Sequence, residues 1–528
     1  MILLGNNTTI RTARGSHQET LSLPPPLVET LGKLLQSLLA LPEPTVWRLR
    51  NATMNTTPMM LLPKMRFTIL LLLLGQLGCQ PAKPPVEDRE RSEVTLRVLV
   101  IDDEPLADAI ERAWDSRYES PLQVKRIEGG QIQDAKRLGA DVVVYPSAMM
   151  GVLASRELIV PLPRKVLAAE DFQRRDLFTL QRTRETTWGR EEFAVPLGSP
   201  QLLLLYRRDI FEKLELQPPS SWTEYQQVVE QLADPDVLGD LPVETARWSA
   251  TREPVGPGWG ARMLLARAAA YATHRSQYSD LFQQESMDAL IHREPYQRAA
   301  EEMQKALTAH AAVADPRTAL EDLANGRCAM AVTWPMKDVA LSADLDTLPI
   351  DVAELPGSSE AYSYREQTWQ TRGPDEPTRV ALLAISGRLA SITDEANSPS
   401  DAGEFLRRLG GVEWGLEVSP QSEQAYLFRT SQLQAIERWV DVESVGFGME
   451  NLRQSIAQSQ GRYTGVLCCR LPGHAEYLAA LDGAVAAVLN DEASSVEALQ
   501  KAADAWDALT ESLGVAQQKA AYAHSLGL

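Results

Sequence analysis

Basic runs are missing from this sequence: 52 Lys and Arg stand against 71 Asp and Glu, a formal net charge of −19. A nucleic-acid partner is excluded on that ground, because the phosphate backbone would be repelled. Cysteine is scarce as well. The four present, Cys79, Cys328, Cys468 and Cys469, include no CxxC and no metal-ligand spacing. Adjacent Cys468 and Cys469 are read as two thiols, a strained vicinal disulfide being the alternative. The six histidines form no HExxH, and neither GxSxG nor GxxxxGK[ST] occurs. Nothing therefore marks a zinc protease, a nucleophile-elbow hydrolase or a P-loop ATPase. No catalytic residue, metal or cofactor is expected. Carboxylates are too numerous to single out a glycosidase pair.

What is present is a globular composition, 44% hydrophobic over 528 residues, enough for two or three lobes. Charge is uneven. Residues 1–64 carry a net +3, so the remainder carries −22. Lys64 and Arg66 precede an apolar run from Phe67 to Leu74, and Leu77-Gly78-Cys79 follows. That run is too short for a membrane-spanning helix, which needs about 20 residues. It suits the apolar region of a signal peptide. Leu77-Gly78-Cys79 resembles a bacterial lipobox, with Gln76 departing from the usual Leu. The resemblance implies lipidation of Cys79 and an extracytoplasmic, membrane-anchored chain. Residues 80–93, Pro-rich and then acidic, read as a tether. Residues 1–64 read as an over-long extension, with translation starting at Met65.

Downstream, strands are expected at Val94–Ile101, Leu122–Ile127 and Asp141–Tyr145, with a helix over Leu106–Trp114. This alternation implies a βαβ lobe with a largely parallel sheet. Ser221 and Glu224, and again Ser494 and Glu497, have capping-box spacing. Asp315-Pro316 is an N-cap and N1 pair. Trp259 to about Leu307 reads as mostly helical. Trp222, Trp439 and Trp506 fall at apolar helical spacing and read as core. Val98–Pro105, with Asp102-Asp103 after a strand, is similar to the start of a receiver domain. Tyr145 stands where the phosphoacceptor carboxylate would be, so the two acids are read as a strand-end loop and a helix N-terminus.

Three blocks then stand in order. One runs from Phe193-Ala194-Val195-Pro196-Leu197-Gly198-Ser199-Pro200 through Asp209–Leu214 to Ser221-Trp222-Thr223-Glu224-Tyr225. The second is Leu323–Pro335, and the third holds Phe428-Arg429-Thr430 and the Trp506 helix. Together they resemble the family 1 extracellular solute-binding proteins, the maltose- and glycerol-phosphate-binder-like group, over residues 94–528. Arg207 or Arg208 stands at the family's usual Asn, Glu215-Leu216 at its Gly-Leu, and Arg327 at its Lys. The resemblance implies an α/β, two-lobe periplasmic-binding-protein fold, type II-like, with hinge strands between interleaved lobes. It also implies a monomer that closes on a small-molecule ligand, a sugar in this group, and docks on an ABC transporter permease.

A sugar cleft wants aromatic platforms and a few placed polar groups, at the carboxyl ends of strands. Tyr145 and Ser147 follow the third strand; Tyr145 could equally be core edge. Ser199 lies in a crossover, where it is a ligand contact or a turn serine. Trp259, set among glycines, is a stacking platform or a packed hinge residue. Trp334 is a platform or a hinge plug. Tyr362 and Trp369 sit in a loop with few apolar neighbours. Arg429 could hold an anionic or hydroxyl-rich ligand, or be salt-bridged. The other classes in view are a secreted lipoprotein hydrolase acting on glycans and a non-transport scaffold lipoprotein.

Overall fold

The computed structural model describes residues 9–10, 21–22 and 95–528, apart from 133–134, 308–309 and 344–346. The chain divides into two compact units, Met1–Arg89 and Glu90–Leu528. In the first, Thr9–Ile10 pairs antiparallel with Leu21–Ser22. The signal segment, Cys79 and the tether lie outside the described residues.

The second unit is built on two sheets. Strand β1 (Leu96–Ile101) is apolar almost throughout because both of its faces are buried. Val98 and Val100 face one core and Leu99 and Ile101 the other. Helix α1 (Glu104–Asp115) follows. Asp103 caps it by accepting from the Leu106 N–H at 3.1 Å, and Pro105 occupies its first turn. The helix covers one face through Leu106 and Ile110. Strands β2 (Leu122–Ile127) and β3 (Val142–Pro146) flank β1 in parallel.

The rest of this sheet is antiparallel, so the sheet is mixed rather than largely parallel. The strands β4 (Ile159–Val160), β5 (Val195–Gly198) and β14 (Arg388–Thr393) complete it. Strand β14 arrives from far along the chain and pairs antiparallel with β3, Leu389 opposite Tyr145. Its other edge takes β4 and β5.

The second sheet has the order β8-β7-β9-β6-β10. Its strands are β6 (Leu203–Arg207), β7 (Ser249–Pro254), β8 (Ala312–Val313), β9 (Cys328–Thr333) and β10 (Ile350–Glu354). Strands β7 and β9 run parallel, and β6 is antiparallel to β9 and β10. Helix α5 (Gly260–Ala272) follows β7, and α6 (Glu294–Ala306) packs on it. Between them lies a loop, so the stretch that reads as mostly helical is two helices with residues 273–293 between them. Helices α2 (Met150–Ser155), α3 (Arg208–Lys213), α4 (Trp222–Gln231), α7 (Pro316–Ala324), α8 (Pro399–Leu409), α9 (Val412–Val418) and α10 (Met449–Gln460) complete the lobes. Helices α11 (His474–Leu489) and α12 (Ser495–Leu513) pack on the α5 side. Hairpin β11 (Glu360–Ser363) and β12 (Thr368–Thr371) precedes β13 (Ala381–Leu383), which pairs in parallel with β15 (Gly465–Leu467).

The chain passes in extended form from β5 of the first sheet to β6 of the second, and returns to the first from β13, in the separate two-stranded sheet with β15, to β14. Each crossing carries a glycine in the left-handed region, Gly198 at φ 106° and Gly387 at φ 112°. A Cβ on Gly198 would strike the Tyr426 backbone, and one on Gly387 the Ser199 hydroxyl. Only glycine fits either place. Among the described residues no helix is long and apolar enough to cross a membrane. Cys328, Cys468 and Cys469 are buried free thiols. Trp222, Trp439 and Trp506 are core, at 1%, 4% and 0% exposure.

Candidate functional site

One connecting segment, Ile385–Gly387, is bonded from both lobes. From the first sheet, β3 ends at Pro146, and the Ser147 N–H donates to the Gly387 carbonyl at 3.1 Å. From the second, Arg262 in the first turn of α5 donates through Nε to the Ile385 carbonyl at 2.7 Å. Ser386 between them donates to Gln424 at 2.7 Å. A groove between the lobes would have this segment as its floor.

On the second lobe, parallel neighbours β7 and β9 end side by side. The chain leaving β7 through Gly256 and Gly258 brings Trp259 to the N-cap of α5, and Trp334 directly follows β9. The two rings lie 5.8 Å apart at 45°. Trp334 is buried and Trp259 half-buried. The Arg262 guanidinium sits 5.3 Å from the Trp259 ring, a cation–π contact, and also donates to the Gly258 carbonyl. Asp482 of α11 accepts from the Gly258 and Ala261 N–H groups at 2.8 and 2.7 Å, which satisfies the helix N-terminus. Tyr426 donates to the Pro335 carbonyl at 3.0 Å beside Trp334.

Under the first crossing lies a polar knot. The Ser199 hydroxyl donates to the Glu185 carboxyl, and the Ser147 hydroxyl is 3.5 Å from that of Ser199. All three residues are buried. Burial pushes the Glu185 carboxyl up, against the two serine hydroxyls and the charge of Arg470. Arg470 is itself buried, its guanidinium lowered to about 10 by burial. It donates to the carbonyls of Glu185, Thr187 and Ser525 at 2.9, 2.9 and 3.1 Å. Glu185 and Arg470 carry no signal in the sequence. Each is a lone charge in a segment without periodicity.

The remaining sequence candidates fall elsewhere. Tyr145 is fully buried, and its hydroxyl meets that of Ser391 on β14 at 2.8 Å. Its phenol titrates far above the usual range because of burial. Tyr362 and Trp369 oppose each other across the β11–β12 hairpin, with ring centroids 5.4 Å apart. Trp369 meets Tyr271 at 5.8 Å, and Arg298 lies over both rings. Tyr271 is near the far end of α5 from Trp259, about 18 Å along the axis at 1.5 Å per residue. The hairpin aromatics are therefore not brought to the tryptophan pair. Arg429 is fully buried. It donates to the carbonyls of Gly410 and Phe172, to that of Gln173 at 3.3 Å, and pairs with Asp176 at 3.4 Å. Asp102 and Asp103 sit at the strand end: Asp102 accepts from the Gly129 N–H, and Asp103 pairs with Arg388 at 2.9 Å. Among the described residues no cluster of His, Cys, Asp and Glu could hold a metal ion.

Residues 118–362 match the family model for bacterial extracellular solute-binding proteins. A comparison with curated proteins finds no match. Among solved structures, the chain is similar to an ABC transporter solute-binding protein of Agrobacterium radiobacter K84 in complex with ribitol. Identity is 15%, over 80% of this chain and 100% of that one, with a TM-score of 0.56. A cyclo/maltodextrin-binding protein complexed with maltotetraose matches at 14% identity, over 80% and 99%, TM-score 0.53. Maltose-bound MalE3 of T. maritima matches at 15%, over 79% and 100%, TM-score 0.54. At such identities the likeness is one of fold, two sheet-based lobes joined by crossing strands. The segment that matches the family of bacterial extracellular solute-binding proteins, residues 118–362, contains Ser147, Ser199, Trp259, Arg262 and Trp334.

Proposed function

We propose that this chain captures a small polar solute, a carbohydrate or polyol, outside the cytoplasm and delivers it unchanged to the permease of an ABC importer. The observation that carries this reading is the meeting of both lobes at Ile385–Gly387 beside the Trp259–Trp334 pair. An aromatic pair gives a sugar ring an apolar face, and the groups at the strand ends give its edges donors and acceptors. A solute touching both lobes favours the closed form over the open one, since only differential contact shifts such an equilibrium. The solved relatives were crystallised with ribitol, maltotetraose and maltose, which supports a polyhydroxylated guest.

Within this reading Trp259 and Trp334 contact the solute, and Ser147 and Ser199 set the hinge rather than the ligand. Tyr145, Tyr362, Trp369 and Arg429 support the lobes. Cys79 carries the lipid that holds the domain at the membrane, with residues 80–93 as tether and residues 1–64 outside the mature chain. Two measurements test this. Purified protein is screened against sugars and polyols by thermal shift, with the solute recovered and analysed by mass. A raised melting temperature with solute intact is expected. Release of a converted product would turn the reading toward a hydrolase, and no shift with any member would leave a scaffold role. The mass of the membrane-extracted chain should show acylated Cys79, and Cys79→Ala should free the protein from the membrane fraction.

A further inference from the structure

Two arginines bond to the segment where the lobes meet, Arg262 at Ile385 and Arg388 at Gly387. Arg388 is paired with Asp103 at 2.9 Å. Arg262 differs. Among the described residues no carboxylate lies within ion-pair distance of it. Its bonds go to two neutral carbonyls, Ile385 and Gly258, which leaves one terminal nitrogen without a protein acceptor. Asp482 is a neighbour that accepts from the Gly258 and Ala261 N–H groups, and it stands outside ion-pair distance of Arg262. The other ionisable groups that feel its charge are the Cys468 thiol, which burial pushes up, and His474. Burial pushes the His474 imidazole down against the pull of Glu476, and the Arg262 charge pushes the same way.

Arg372 and Arg453 also donate only to carbonyls, but of these three Arg262 is the one bonded to the segment between the lobes. Here it is held rigidly by two carbonyls, against the ring of Trp259, on the floor segment that both lobes touch. A planar fork with free donors matches a carboxylate or phosphate, and the bond to a charged acceptor is about twice as strong as to a neutral one. An apolar ring face beside a fixed cation fits a sugar that carries an acid group.

We infer that Arg262 is a solute-binding residue and that the preferred solute is an anionic sugar or polyol, a sugar acid or a sugar phosphate, whose acid group completes the ion pair Arg262 lacks. This inference rests on the solute-binding reading above and narrows it. The test uses the full chain and matched sets of probes: glucose, glucuronate and glucose 6-phosphate, then glycerol, glycerate and glycerol 3-phosphate. Affinities are taken by titration calorimetry at low salt. At least one charged member should bind tenfold or more tightly than its neutral counterpart, and whether carboxylate or phosphate wins identifies the acid. Arg262→Gln should reduce that preference to within threefold. Arg262→Lys, which keeps the charge and loses the fork, should retain part of it, and thermal melts verify that both variants fold. Neutral members binding as tightly as charged ones, or a preference that survives Arg262→Gln, would overturn the anion assignment and leave solute binding intact. Binding of no member would overturn both.

Discussion

Arg267 lies one turn and a half beyond Arg262 on the same helix and offers the sharpest test of how the second lobe holds its shape. Its guanidinium pairs with Glu253 at 2.7 Å, and both side chains are at 0% exposure. It lies 4.1 Å from the Trp222 ring and 5.4 Å from that of Tyr225, whose hydroxyl donates to Glu253 at 2.8 Å. The pair clamps α5 to β7, the strand that delivers Trp259. Replacing Arg267 by Met keeps much of the volume but leaves the Glu253 carboxylate buried with the tyrosine hydroxyl as its remaining partner. Breaking one side of a buried pair costs about 3–5 kcal/mol, and the lost cation–π contact adds about 0.5–2 kcal/mol. Removing both charges, in Arg267→Met with Glu253→Gln, should recover most of the loss, because the cost lies in the stranded charge rather than in the missing bond. Urea unfolding followed by tryptophan fluorescence, analysed by linear extrapolation, measures both variants. A single-variant loss under about 1 kcal/mol, or a double variant weaker than the single, would refute this account of the clamp.

Trp259→Ala should weaken solute affinity at least tenfold, about 1.4 kcal/mol, in a protein that still folds; wild-type affinity by calorimetry would remove Trp259 from the site. Glu185 has a folded pKa above its ordinary 4.5, so the fold prefers its neutral form. The stability it contributes is full below pH 4.5 and is lost as pH rises through the higher folded value. Glu185→Gln should therefore flatten the pH dependence of the melting temperature and exceed wild type at pH 8; a variant less stable there contradicts the assignment. Gly387→Ala forces a side chain into φ 112° and against Ser199. It should cost on the order of 1–3 kcal/mol by backbone strain alone, and an unchanged melt would show that the crossing has slack.

Local structure was legible where one segment decides it. The mostly buried run at Leu96–Ile101 and the matching boundaries of Leu122–Ile127 follow from composition and turn signals. The box at Ser494 forms as spaced, with Glu497 returning to the Ser494 N–H at 3.2 Å. At Ser221 one half changes: the hydroxyl caps Glu224, but the Glu224 carboxylate takes the Ser220 N–H and hydroxyl. The mixed character of the first sheet was not legible, because β14 joins β3 across more than two hundred residues. Long-range partners also explain the site. Glycines around Trp259 point to an uncovered ring face, whereas Tyr362 and Trp369 have few apolar neighbours along the chain because Tyr271 and Arg298 are remote in sequence. Arg262 has no motif at all. Its meaning comes from having no carboxylate within ion-pair distance among the described residues, which spacing along a chain cannot express.

The hinge itself can be watched. Nitroxide labels on Gly130→Cys, beyond the end of β2, and Lys337→Cys, beyond Trp334, report the separation of the lobes by electron spin resonance. Adding a solute that raises the melting temperature should move the distance distribution to shorter values, and removing it should restore the longer ones. A distribution that stays the same with and without that solute would contradict closure of the two lobes on a guest.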